Sequence, residues 1–143
     1  MALRRRILGR TEIILSFDPA VAGSYSEYRS AHYDRSKLEI KPGEQPTVLH
    51  IDPLTEAQKD VCGQLEGKIR QKATVRMALR EIENYTLEVG GVPRPCPPVR
   101  RERISDDLGM GVTDAWFAEA GLHSDILTEL SQAIWEISDV DPT

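Results

Sequence analysis

A chain of 143 residues with 40% hydrophobic and 29% charged residues is the size and composition of one globular domain. Its mean hydropathy is −0.38 and it holds no apolar run of 18 residues, which excludes a spanning helix; the polar breaks in MALRRRILGRTEII argue against a signal peptide. The net charge of −5 hides a division: residues 104–143 carry nine acidic residues and no Lys or Arg, while residues 1–103 set 18 basic against 14 acidic residues.

In chain order, residues 1–10 form a basic arm with Arg4, Arg5, Arg6 and Arg10. Thr11–Phe17 is apolar and β-favouring, a strand ended by Asp18-Pro19. Residues 18–36 read as a long polar connection in which Tyr25, Tyr28 and Tyr33 interleave with Arg29, His32 and Arg35. Ser36–Ile40 alternates, Pro42-Gly43 turns, and Thr47–Ile51 resumes an extended run, which predicts a β-hairpin with its loop at Lys41–Pro46.

Thr55-Glu56-Ala57-Gln58 is a capping box, so a helix starts sharply here. Val61, Leu65, Ile69, Ala73 and Met77 recur every four residues, and the pattern runs on through Leu79 and Ile82 to about Tyr85. The reading is one helix or two, with a break near Lys72–Thr74. Gly63 and Gly67 weaken the first part or admit a close backbone.

The run GGVPRPCPP (90–98) predicts a stiff polyproline-like spacer, followed by Arg100, Arg101 and Arg103. Leu108–Val112 reads as a turn. Thr113-Asp114 opens a short helix, DAWFAEA, and Gly121 ends it. Ser124-Asp125 caps a second, whose Ile126, Leu127, Leu130, Ala133, Ile134 and Ile137 make the cleanest amphipathic stripe in the chain. With Trp116, Phe117 and Trp135 this pair must dock, either on its own domain or on a neighbouring subunit.

No enzyme signature emerges. Cys62 and Cys96 make neither a disulfide framework nor a zinc spacing, and fit a reducing, intracellular origin. His32, His50 and His123 lie far apart; no GxSxG, GxGxxG or GxxxxGK[ST] occurs. An enzyme with a dispersed site, around His50 or His123, has no motif in its support. The expectation is therefore no catalytic residue, no cofactor and no metal.

The basic arm and the tyrosine segment have the chemistry of a single-strand nucleic-acid platform. The acidic total and the lack of a helix with clustered basic residues count against direct nucleic-acid binding. Protein contact explains the same residues, because Arg, Tyr and Trp are enriched at interface hot spots.

Two segments resemble small structural or assembly proteins of tailed bacteriophages. Pro46–Thr55 (PTVLHIDPLT) is similar to an extended "PTxxxxxPLT" run leading into a helix in tail assembly chaperones. Ser124–Ser138, with ILTELSQAIWEIS, is similar to the helix that closes such proteins. Tail chaperones are almost wholly helical, so the strands here shift the resemblance toward a capsid-associated or head–tail junction protein.

The expected fold is α+β: a small N-terminal β-hairpin or sheet, a helical centre over 55–87, a Pro-rich connector and a C-terminal helix pair. The expected units are a basic arm (1–10), a body (11–89), a basic connector (90–103) and an acidic helical end (104–143). The expected function is non-enzymatic, in a virion assembled in the host cytoplasm, with other copies or capsid, portal or tail proteins as partners and no membrane. Arg4, Arg5, Arg6, Arg10, Tyr25, Tyr28, Arg29 and Tyr33 are the expected contact residues, with Trp116, Phe117 and Trp135 as anchors. A tail assembly chaperone and a nucleic-acid-binding or regulatory protein are the alternatives.

Overall fold

The computed structural model describes residues 10–139. It begins with strand β1 (Thr11–Ile13), after which Ile14 and Leu15 stay buried. Asp18 ends this run with its carboxylate, which accepts the N–H of Ala20 (2.9 Å) and of Thr47 (2.8 Å). The segment read as a connection holds structure of its own: β2 (Val21–Gly23), helix α1 (Tyr25–Ser30) and a 3-10 turn at Arg35–Lys37. β3 (Glu39–Ile40) follows and pairs antiparallel with β2.

The expected hairpin over 36–51 is therefore corrected. β4 (Val48–Ile51) does not pair with β3; it is the centre of an antiparallel sheet, between β1 and a strand from much later in the chain. Leu49, His50 and Ile51 are all buried, which suits a central strand and not a hairpin arm.

Helix α2 (Glu56–Gly63) opens on the expected capping box. Thr55 Oγ1 accepts the N–H of Gln58 (3.2 Å), and Gln58 Oε1 accepts the N–H of Thr55 (3.0 Å). Helix α3 (Gly67–Ala78) follows a break at residues 64–66, earlier than the expected one. Gly67 has φ 58°, a left-handed conformation that a glycine adopts at little cost. The break also changes the phase of the apolar face. Val61 and Ile69, read as one stripe, are 42% and 69% exposed, while Cys62, Val75 and Ala78 are buried.

The helical centre does not reach Tyr85. α3 stops at Ala78, and β5 (Leu79–Glu83) runs straight on along the free edge of β4. Leu79 and Ile82 fit a helical period, but β4 offers a ladder and an apolar face that a longer helix would leave empty. Tertiary pairing outweighs the local pattern.

The proline-rich run is likewise not a spacer. β6 (Thr86–Val89) and β7 (Val92–Pro95) form a hairpin around Gly90-Gly91, whose φ angles of 60° and 80° suit a type I′ turn. Prolines are tolerated because they alternate. Pro93 opposes Glu88 and Pro95 opposes Thr86, the non-bonded positions of a two-residue hairpin, where no inward N–H is needed. Cys96 N–H, one step on, donates to Tyr85 O at 2.9 Å.

A second hairpin, β8 (Arg101–Ser105) and β9 (Gly109–Val112), replaces the basic connector and the turn that followed it. Residues 104–112, expected in the acidic helical end, instead form the end of β8, a turn at 106–108 and β9. Arg101 fastens this hairpin to the body: its guanidinium donates to Met77 O (3.2 Å), Met110 O (2.8 Å) and Leu79 O. Helix α4 (Asp114–Ala120) ends at Gly121, φ 54°, and α5 (Ser124–Ser138) is capped by the His123 side chain. α5 packs along α3, and one buried cluster draws on β1, β4, β5, α3, α4 and α5. The chain is thus a mixed α+β fold.

Candidate functional site

Of the expected contact residues, Tyr28, Tyr33, Trp116 and Phe117 are buried, Tyr25 and Trp135 are half-buried, and Arg10 and Arg29 are exposed. Arg4, Arg5 and Arg6 lie outside the described residues. Arg10 is exposed and reaches Asp52, Nε to Oδ1 3.5 Å. Tyr28 is fully buried; its hydroxyl accepts the Ile14 N–H (3.0 Å) and donates to Glu12 O (2.9 Å). Tyr25 donates to Ile14 O at 2.7 Å, and Tyr33 to Glu136 Oε2 at 2.6 Å. The three rings pack in series, with centroids 5.4 and 5.3 Å apart. Burial pushes all three hydroxyls up, that of Tyr28 to about 12. These tyrosines fasten α1 to β1 and α5: Tyr28 and Tyr33 are buried in the core, and Tyr25 packs half-buried against it.

The anchors are also engaged. Trp116 is fully buried, and its Nε1–H donates to Pro97 O at 2.9 Å. Phe117 is buried beside it, with Lys72 and Arg76 over its ring. Trp135 donates to Thr74 Oγ1 at 3.1 Å under the Arg70 guanidinium. The helix pair docks on its own domain.

Charge complementarity runs within the chain as well. Arg29 forks onto Glu136, Nε to its two oxygens at 3.0 and 3.1 Å. Lys72 and Arg76 meet Asp114, Arg100 meets Glu119, and Lys59 meets Asp139. The acidic end is held against basic residues of the same molecule.

Among the described residues, an apolar hairpin tip and an apolar groove are open to solvent. The first is the β6–β7 hairpin, in which every residue of β7 is exposed and Val89 and Val92, flanking the turn, are 53% and 55% exposed. The second is a groove of about 160 Å³ lined by Leu15, Phe17, Leu49, Ile82, Leu122 and Ile126. Phe17 at its rim is 52% exposed. Nothing in the sequence pattern marks either: Val92 falls in the expected spacer (90–98), Val89 at the end of the expected body (11–89), and Phe17 at the end of an expected strand.

A third feature is polar. Strand register sets Glu12 opposite His50 and His50 opposite Glu81, and Glu83 follows two residues on. His50 is 9% exposed, and its Nε2 is buried without a hydrogen-bond partner, 3.2 Å from Glu83 Oε1.

No helix among the described residues is long and apolar enough to cross a membrane. No family model matches the sequence, and no curated protein or solved structure matches the chain.

Proposed function

We propose that this chain is a non-enzymatic assembly subunit that joins copies of itself head to tail, the hairpin tip of one seating in the apolar groove of the next. The observation that carries the reading is the presence, on one molecule, of an exposed apolar tip and an unfilled apolar groove. The tip cannot fill its own groove. Tyr85 lines the groove, and Val89 lies four strand residues beyond it, about 14 Å at ~3.4 Å per residue.

A tip-to-groove contact is heterologous, and such contacts close into rings or extend into filaments. The resemblance of Pro46–Thr55 and Ser124–Ser138 to tailed-phage assembly proteins supports a place in a phage particle, at the capsid or the head–tail junction. Intramolecular ion pairs engage part of the acidic end, and the reading rests on the hairpin tip instead.

Light scattering coupled to size exclusion across a concentration series tests this. The wild-type chain forms a defined oligomer. Val89→Asp/Val92→Asp and, separately, Phe17→Asp return it to a monomer with an unchanged circular dichroism spectrum. A wild-type chain that stays monomeric at the highest concentration overturns the proposal. Capsid, portal or tail genes beside the coding sequence support the phage setting; their absence removes it.

A further inference from the structure

We infer that His50, Glu81 and Glu83 form a binding site for a divalent transition-metal ion, with zinc as the fitting probe, and that Glu12 orients the imidazole from the opposite side. This is separate from self-association and uses none of its residues.

The donor set is built by the sheet. β4 carries His50 between Glu12 of β1 and Glu81 of β5, on one face, and the next residue of that face on β5 is Glu83. One donor atom from each of His50, Glu81 and Glu83 lies within 4.8 Å of the others. An imidazole nitrogen with two carboxylate oxygens is a ligand set for zinc and its first-row neighbours, whereas magnesium and calcium favour oxygen alone.

Acidic residues on a strand need no ion, and the weight falls on His50. Its Nε2 is shut off from solvent and lacks a hydrogen bond, an arrangement that costs stability when nothing compensates. The atom nearest to it in an ion pair is Glu83 Oε1, at 3.2 Å, yet the geometry is not that of a hydrogen bond. It does match two ligands sharing a cation. Donors about 2.1 Å from one ion stand about 3.0 Å apart at a right angle and about 3.4 Å apart at the tetrahedral angle. Glu81 is exposed and closes the remaining distance by side-chain rotation.

The other ring nitrogen completes the pattern. His50 Nδ1 faces Glu12 Oε1 at 3.9 Å, so a small rotation of the exposed Glu12 makes a carboxylate–histidine–metal relay. Among the described residues no Lys or Arg forms an ion pair with Glu12, Glu81 or Glu83, so an ion would relieve three carboxylates crowded about one imidazole. Water completes the coordination. The ion would tie β4 to β5 and, through Glu12, to β1.

The test is calorimetric titration of zinc chloride into the tag-free, chelator-treated full chain, with thermal melting alongside. The expected result is saturable uptake of one zinc per chain, a raised melting temperature, and no comparable response to magnesium. Glu81→Gln/Glu83→Gln, at exposed positions that spare the core, abolishes the uptake while melting like the metal-free wild type. Glu12→Gln weakens zinc affinity about 10-fold or more without changing the metal-free melting temperature, as expected of a positioning residue. Val89→Asp/Val92→Asp keeps full zinc binding, which separates this result from loss of association. No saturable uptake, uptake undiminished in Glu81→Gln/Glu83→Gln, or magnesium binding as tightly as zinc overturns the inference.

Discussion

Tyr33 and Glu136, 103 residues apart in sequence, share a 2.6 Å hydrogen bond in which the phenol donates to the carboxylate. Arg29 forks onto the same carboxylate from α1. Burial raises the Glu136 carboxyl, but the bonds from Arg29 and Tyr33 outweigh it and hold the group below its ordinary 4.5. A folded pKa below the unfolded one stabilises the fold above the unfolded value, and that stability disappears as pH falls through the folded value. Urea midpoints taken from neutral pH down through pH 4.5 should therefore drop more steeply for wild type than for Glu136→Gln. At neutral pH Tyr33→Phe should cost about 1.5–3 kcal/mol, the scale of a hydrogen bond to a charged acceptor.

Arg101 should be the most sensitive basic residue among those the structure describes. It satisfies carbonyls at the α3–β5 junction and on β9, and burial beside Arg80 lowers its pKa to about 10. Arg101→Ala strands those carbonyls and should cost about 3 kcal/mol in urea unfolding. Arg101→Lys should recover only part, because an ammonium cannot fork across three acceptors. Amide exchange in β8 and β9 should speed up in both variants.

Trp116→Phe should destabilise by about 2 kcal/mol, from the Pro97 carbonyl left without its donor and from a cavity beside Phe117. Trp135→Phe, at a half-buried ring whose partner is a hydroxyl, should cost less. Chemical unfolding followed by circular dichroism ranks the two; equal costs would contradict the burial difference.

The thiols give a check on packing that needs no substitution. Cys62 is fully buried, Cys96 is half-buried, and burial pushes both thiols up. Alkylation near neutral pH should be slow at both and slower at Cys62, with full labelling of two thiols in urea. Rapid native labelling of Cys62 would show α2 opening away from the core.

The sequence by itself determined the features that depend on a few neighbouring residues. The Thr55–Gln58 box, the start of α4 at Thr113 and its stop at Gly121, and the stripe of α5 all follow from local hydrogen bonding and a 3.6-residue period. Arg101 and the three tyrosines were visible as residues but not as structure, since their partners are backbone carbonyls and side chains from distant segments.

Tertiary structure alone decided where helix gives way to strand at Ala78–Leu79, because the free edge of β4 is not encoded beside it. It likewise turned a run of prolines into a hairpin, by placing Pro93 and Pro95 at positions that need no donor. Among the described residues, part of the charge division first visible in the composition is closed within the chain, by Arg29–Glu136 and Arg76–Asp114. His50, Glu81 and Glu83 show the reason most plainly. No spacing rule links residue 50 to residue 81, and only antiparallel register sets one beside the other.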